Sequence, residues 1–275
     1  MRLGRSDLQV SKLGIGTLQW GDPGSGFGST FGEAEIASAF DELIAGGINF
    51  FDTAEVYGYQ NIKSGSSSEQ LLGKFLRDMK NQQDVPPVVA TKFFTIPWTN
   101  FLVAALRESL KRIGKAKVDL YQIHFPFPTF SNAALMESLK EAVEEGLTRA
   151  VGVSNFSKEQ MEEADDVLSR YGIPLASNQV RYSLISRDVE ENGLLKACKD
   201  RKIQLIAYSP LASGLLTDKA LTRTDAKATN VALNYLMCKG ALPIAGCKNA
   251  QQAKAHCEVL KFKLTDGQDP QLDLD

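Results

Sequence analysis

Cysteine, histidine and tryptophan are scarce, with four, two and two copies in 275 residues. The four cysteines, Cys198, Cys238, Cys247 and Cys257, all fall in the last third and form neither a C-x-x-C pair nor a mixed cluster with histidine. That spacing argues against a structural zinc or any other metal site, and a core of this size needs no disulfide framework. Neither sign of charge prevails: 31 basic residues stand against 33 acidic ones, a formal net charge of −2. A basic face for nucleic acid is therefore not expected. No apolar run approaches the roughly 20 residues of a membrane span, and the opening MRLGRSDLQV lacks the apolar stretch of a secretory signal. The expectation is a soluble, monomeric, cytoplasmic protein with a small-molecule partner, or a plastid protein if a transit peptide is absent from this form.

What is present is a repeat of element types. Short apolar or β-branched runs alternate eight times with helical patterns between Ser11 and Lys261. The strand candidates are LGIGTL, INFFDT, PVVATK, VDLYQIH, RAVGVS, LASNQV, LIAYSP and LPIAG. Most lack polar alternation, which suits strands covered on both faces in a parallel sheet. The helices between them are amphipathic, as with Ile36, Phe40, Leu43 and Ile44 ahead of a Gly46-Gly47 stop. Ser66 with Glu69, and Ser157 with Gln160, have capping-box spacing, and Gly114, Gly146 and Gly172 suit helix C-termini. Residues 1–275 are thus expected to form one domain, a parallel (β/α)8 TIM barrel, in preference to a wide open sheet.

Polar residues at strand ends sharpen that expectation. Asp52, Lys92, His124, Ser154 with Asn155, Gln179, Tyr208 with Ser209, and Lys248 each sit at or just after the C-terminal end of a successive strand candidate. In a (β/α)8 barrel those ends converge on one mouth, where such enzymes keep their chemistry. Tyr57 follows Asp52 by five residues. An acid, a phenol, an ammonium and an imidazole would then share a pocket. The ammonium of Lys92 could bring the Tyr57 pKa down from near 10, Asp52 could keep Lys92 charged, and His124 could donate to a carbonyl oxygen. Each residue alone has an ordinary role as well: Asp52 as a turn cap, Lys92 reaching to solvent, Tyr57 packed on the rim, His124 as a core histidine. Four such accidents at consecutive strand ends are improbable.

The segments DTAEVYG, ATK and QIHFP, with Asp52, Tyr57, Lys92 and His124, resemble the catalytic tetrad motifs of the aldo-keto reductase superfamily in the right order. Glu69-Gln70-Leu71-Leu72-Gly73 is similar to the E-x-x-L-G of that family, and VGVSNF, SNQV, IAYSPL and PIAGCKN are similar to its cofactor segments. The connection YGYQNIKSGSSSE and the segment PLASNQVRYSL look closest to the plant and cyanobacterial branch of chloroplast-type and pyridoxal-reductase-like enzymes. The resemblance implies NADPH-dependent reduction of an aldehyde or ketone, with Tyr57 as the proton donor. It implies that Ser154, Asn155 and Gln179 hold the nicotinamide carboxamide, that Tyr208 stacks on the ring and that Lys248 meets the 2′-phosphate. Ser209, Pro210, Leu211, Gly246 and Gln252 lie in the same cofactor segments.

A Rossmann-type site is excluded, because GDPGSGFGS lacks the G-x-G-x-x-G spacing and does not sit between a strand and a helix. It is either a pocket wall or a surface turn. The pattern departs from the family in three places: a shortened connection before the eighth strand, between Leu216 and Val231; a truncated C-terminal tail, the chain ending at Asp275 soon after LTDG; and Ala255 and His256 where many relatives carry Glu and Asn. The first two imply an open mouth, and all three a weakly held cofactor. Two other functions share the fold class: a non-catalytic or weakly active NADPH-binding barrel, as in the channel β-subunits that act as redox sensors, and an enzyme using Lys92 as a Schiff-base nucleophile.

Overall fold

The computed structural model describes residues 1–79, 86–95, 101–126, 131–217 and 228–261. Eight strands, β1 (Gly14–Gly16), β2 (Phe50–Asp52), β3 (Val88–Phe93), β4 (Val118–Ile123), β5 (Thr148–Ser154), β6 (Leu175–Arg181), β7 (Gln204–Tyr208) and β8 (Leu242–Gly246), close into a barrel in chain order. Every pairing is parallel, and the ring is shut by Gly14, Ile15 and Gly16 lying opposite Ile244, Ala245 and Gly246. All eight strand candidates are strands, and the expected (β/α)8 architecture holds. The helices are α1 (Glu33–Ala45), α2 (Ser68–Asp78), α3 (Leu102–Ile113), α4 (Asn132–Glu144), α5 (Lys158–Ser169), α6 (Asp188–Glu191), α7 (Leu194–Asp200), α8 (Ala228–Cys238) and α9 (Ala250–Val259).

Strand residues alternate between two cores, as the period of two requires. Phe51, Val89, Tyr121, Val151, Leu205 and Ala245 face the helices, while Phe50, Val88, Ala90, Leu120, Ile206, Leu242 and Ile244 fill the barrel. The barrel floor is closed by the N-terminal segment, which doubles back through a bridge between Arg2 and Gln9 and plugs the interior with Leu3, Leu8 and Val10. With the lower interior filled by hydrocarbon, only the layer at the C-terminal mouth remains for polar side chains.

The Ser157–Gln160 capping box forms as expected: Ser157 Oγ accepts from the Gln160 N–H at 3.3 Å, and the Gln160 side chain accepts from the Ser157 N–H at 2.9 Å. Gly114, Gly146 and Gly172 all have left-handed φ at helix ends. At α2 the box expected on Ser66 and Glu69 is displaced by one residue: Ser67 is the cap, and Gln70 accepts its N–H at 3.0 Å. Ser66 is still tied into the preceding loop through its N–H to Asn61 O, and Glu69 is turned inward, accepting from Thr91 Oγ1 at 2.6 Å and Arg112 Nε at 2.5 Å. A buried ion pair has taken the side chain that the capping pattern claimed. The shortened connection expected between Leu216 and Val231 falls mostly on residues 218–227, and the C-terminal tail on residues 262–275; both stretches lie outside the described residues.

One carboxylate fastens the crossover after β6 to α8. Glu190 accepts from Tyr182 Oη and Tyr235 Oη, both at 2.7 Å, and from Arg187 Nε and Nη2, each at 3.1 Å. Burial alone would raise its pKa, but Arg187 and the two hydroxyls hold it down to about 2. A depressed carboxylate stabilises the fold above the unfolded pKa of about 4.3, and that stabilisation fades as pH falls toward the folded value, amounting to an order of 2–3 kcal/mol at neutral pH. Glu190→Gln should therefore lower the urea midpoint at pH 7, and the gap to the parent should shrink by about half near pH 3. A gap independent of pH would show that the charge of Glu190 is not what the network uses.

Candidate active site

The upper layer of the barrel is polar because its strand ends alternate inward as Asp52, Lys92, Gln122, Ser154 and Gln179. Asp52 closes β2 and is buried with Lys92 of β3, whose ammonium donates to Asp52 Oδ2 at 2.5 Å. The other carboxylate oxygen accepts from Gln179 Nε2 at 2.8 Å and from Gln122 Nε2 at 3.1 Å. Lys92 Nζ also donates to Thr53 O at 2.9 Å and to Tyr57 Oη at 3.2 Å, so all three of its protons are placed. The loop carrying Tyr57 is seated by hydroxyls: Ser68 Oγ lies 2.7 Å from Thr17 Oγ1 and 2.8 Å from Thr53 Oγ1, and the Ser68 N–H donates to Tyr57 O at 3.1 Å. Left-handed Gly58 passes so close to Gly21 that a Cβ would meet its carbonyl carbon at 2.8 Å.

His124 follows β4. Its ring lies 5.7 Å from that of Tyr57 in a T-shaped contact, and its Nδ1 is buried without a hydrogen-bond partner. Burial, aided by the positive charge of Lys92, pushes its pKa down to about 3, so it is a neutral imidazole at physiological pH. Tyr57 departs from the sequence expectation. Its pKa is raised above 10, because burial outweighs the opposing pull of Lys92 and Asp52 adds to the rise. The ammonium that was to acidify the phenol is already shared with a carboxylate. Burial also pulls on Lys92, but Asp52 and Tyr57 together keep its pKa above the ordinary lysine value. A buried, protonated and fully hydrogen-bonded amine is a poor nucleophile, which speaks against a Schiff-base role.

These groups stand at one end of a cavity of about 940 Å³, within the range of small-molecule sites. Its lining takes in Asp52, Tyr57 and His124, and also Ser154, Asn155, Gln179, Tyr208, Ser209, Pro210, Leu211, Gly246, Lys248 and Gln252, so every expected cofactor residue faces it. Lys92 lies just beneath, bonded to two of the lining residues. Asn155 is held by three contacts: it donates to His124 O at 3.0 Å and to Ser154 Oγ at 3.1 Å, and accepts from Tyr208 Oη at 3.0 Å. Asn155, Ser209 and Ser213, all lining the cavity, have left-handed φ of 62°, 51° and 56°. Backbone strain in side-chain-bearing residues concentrates at functional sites.

At the far end, Lys248 precedes α9. Its N–H donates to Gln252 Oε1 at 2.8 Å, and its ammonium donates to Ser25 O at 2.9 Å while lying 4.9 Å from the centre of the Phe31 ring. The glycine-rich loop after β1 touches Lys248 through Ser25 O, while its own residues 21–29 are not among those lining the cavity. Between the two ends, Gly16 and Gly246 are register partners, and the Gln19 side chain lies so close to Gly246 that a Cβ there would meet its Oε1 at 2.9 Å. Sequence reasoning missed Gln122, whose inward place was readable from its alternation with Leu120 and His124. It also missed Leu18 and Phe125, which line the cavity while remaining exposed. No residue pattern marks an exposed apolar side chain as part of a site.

Removing one member of a buried ion pair leaves the other uncompensated, at a cost of about 3–5 kcal/mol. Asp52→Asn and Lys92→Met should each destabilise the protein by amounts of that order in urea denaturation, and the double variant should lose less than the sum. Strict additivity would mean that the two charges are not coupled.

The Aldo/keto reductase family model matches residues 12–230. The chain is 33% identical to chloroplastic pyridoxal reductase of Arabidopsis thaliana over 306 aligned positions, covering 97% of this chain and 83% of that protein. It is 29% identical to 6-dehydroglucose reductase of Novosphingobium aromaticivorans, covering 95% of this chain and 90% of that one. A crystal structure of a thermostable aldo-keto reductase, Tm1743, with the inhibitor epalrestat superposes with a TM-score of 0.83 at 29% identity, covering 99% and 98% of the two chains. With the barrel, the four converging side chains and these likenesses together, the chain belongs to the aldo/keto reductase family.

Proposed function

We propose that this protein reduces the carbonyl group of a small aldehyde or ketone to an alcohol, using NADPH, with Tyr57 as the proton donor. The observation that carries the reading is the chain Asp52–Lys92–Tyr57, at 2.5 and 3.2 Å, ending in a hydroxyl at the wall of the cavity. A bound reduced nicotinamide would supply the hydride to the carbonyl carbon. The remaining work belongs to the protein. Tyr57 gives its proton to the carbonyl oxygen, and its raised pKa keeps that proton in place at neutral pH until it is needed. The phenolate left behind lies beside the Lys92 ammonium in a poorly solvated site, where the attraction is larger than in water. A group that gains this contact only as the reaction proceeds lowers the barrier and not merely the ground state. Neutral His124 can hydrogen-bond the same oxygen without adding charge to the mouth.

Three features support NADPH as the cofactor. The side chains of Ser154, Asn155 and Gln179 gather beside Tyr208, where amide groups could hold a carboxamide and the tyrosine ring could cover the nicotinamide. Gly16 and Gly246 add no side chain of their own to the wall between the two ends of the cavity. There Lys248 offers an ammonium and α9 an N-terminus, both favourable to a phosphate. For the substrate, Leu18 and Phe125 give the mouth an apolar rim beside His124, which favours flat or apolar carbonyl compounds; the plant relative is named for pyridoxal, an aromatic aldehyde. Cytoplasmic or plastid residence and a monomeric state remain part of the proposal; among the described residues no helix is long and apolar enough to cross a membrane.

Tyr57→Phe should lower turnover of an aromatic aldehyde by about a hundredfold or more while NADPH affinity, read from quenching of protein fluorescence, stays near the parent value. Turnover close to that of the parent would remove Tyr57 from the role. The parent should prefer NADPH to NADH, and Lys248→Ala should weaken NADPH roughly ten- to hundredfold, an order of 1.5–3 kcal/mol, while sparing NADH. Equal affinity of the parent for both cofactors would defeat the assignment of Lys248.

A further inference from the structure

His124 is the one member of the reactive group whose side chain has no hydrogen bond among the described residues, and its orientation must come from packing. Three rings hold it. Phe125 stacks on it at 4.7 Å and 8°, Phe94 meets it edge-on at 5.6 Å and 90°, and Tyr57 lies at 5.7 Å and 79°. Phe125 is 40% exposed, so it is the looser of the two phenylalanine walls. Phe94 is the first residue after β3, where the ladder to β4 has ended, and its backbone N–H has left the sheet. That N–H donates to Glu55 Oε1 at 2.6 Å. The next residue, Thr95, donates through Oγ1 to Phe125 O at 2.8 Å, which binds the same segment to the chain just after His124.

Glu55 stands two residues before Tyr57 on the same short loop, whose turn is closed by the Tyr57 N–H to Ala54 O at 3.0 Å. One loop thus carries the hydroxyl and also the carboxylate that tethers the wall of the neighbouring imidazole. The contacts form a closed circuit from Tyr57 through Glu55, Phe94 and His124 back to Tyr57. We propose that Glu55 is a positioning residue for His124, holding the backbone of Phe94 so that the aromatic wall fixes the imidazole against Tyr57. The proposal rests on the reading that His124 meets the carbonyl oxygen, and goes beyond it in naming what aims the ring. Burial raises the Glu55 pKa, with the Phe94 N–H partly opposing it, as expected of a carboxyl kept in a poorly solvated place for a specific contact.

With only two histidines in the chain, the imidazoles can be followed separately by NMR, His256 serving as an internal reference. Glu55→Ala removes the acceptor, Glu55→Gln keeps a side-chain carbonyl in the same place, and Phe94→Leu keeps the N–H but removes the ring. In the cofactor-free protein, Glu55→Ala and Phe94→Leu should both move the His124 resonances and lift its titration midpoint from about 3 toward the ordinary value of about 6.5. His256 should stay where it is. In turnover, both should lower kcat by about tenfold with NADPH affinity unchanged, and Glu55→Gln should stay close to the parent in every readout. His124 resonances and kcat that remain at parent values in Glu55→Ala would overturn the proposal, as would a Glu55→Gln variant as impaired as Glu55→Ala. Should Glu55→Ala fail to fold, Glu55→Asp, whose shorter side chain draws the carboxylate back from the Phe94 N–H, carries the same test, and parent-like His124 resonances and kcat in that variant would overturn the proposal. If the resonances move as expected but His124→Ala retains full turnover, the tether stands and the catalytic reading of His124 falls.

Discussion

Everything at the mouth depends on burying one ammonium. Lys92 is wholly enclosed, and a charge in that position is tolerable only if a carboxylate and further polar groups meet it. Asp52 provides the charge, Thr53 O and Tyr57 take the remaining protons, and Gln122 and Gln179 satisfy the far oxygen of Asp52. Four of the eight strands or their end loops are committed to that single requirement. The register of the upper barrel follows, because a slip of one residue on β2 or β3 would turn a charge out toward the apolar helix shell. The phenol of Tyr57 is held where it is by the same demand, since it is the ligand that completes the ammonium's coordination.

The proposed function builds on this constraint in steps. The lower barrel is filled by apolar side chains, and the cavity for a small molecule lies above the polar layer. There the strand-end loops adopt strained left-handed turns at Asn155, Ser209 and Ser213, conformations that the rigid strands beneath them can enforce. The resulting cavity is polar and proton-bearing at one end and cationic at the other, with glycines between. Such an arrangement suits a long ligand that carries an amide at one terminus and phosphate near the other.

Much of this was legible in the sequence. The strands could be read because their apolar runs are short, uninterrupted and spaced by amphipathic helices, and Asp52, Lys92 and His124 stand out because a polar residue closing such a run has few reasons to be there. Other features depend on neighbours that are distant in sequence. Gln122 is one polar residue inside a strand until Asp52 is placed across from it. Glu69 has capping-box spacing to Ser66, yet Arg112 on the next helix and Thr91 on β3 take its carboxylate. The acidity of Tyr57 differs from the sequence expectation because the residue pattern pairs Lys92 with Asp52 and Tyr57 but does not show how deeply the phenol is buried, and burial outweighs the pull of Lys92. Glu55, two residues from Tyr57, is silent in sequence because its partner is a backbone N–H, which no residue type announces.

On the proposed reading, a nicotinamide bound in this cavity would pass its hydride to a carbonyl carbon while Tyr57 passes a proton to the oxygen. The most direct measurement is to supply NADPH deuterated at the reactive carbon of the nicotinamide together with an aromatic aldehyde, and to analyse the product by mass spectrometry and NMR. The expected product is an alcohol with one deuterium, on the carbinol carbon, formed by the parent and lost in the variant lacking the Tyr57 hydroxyl. An alcohol without deuterium, or tight NADPH binding with no transfer to any aldehyde or ketone tried, would contradict it.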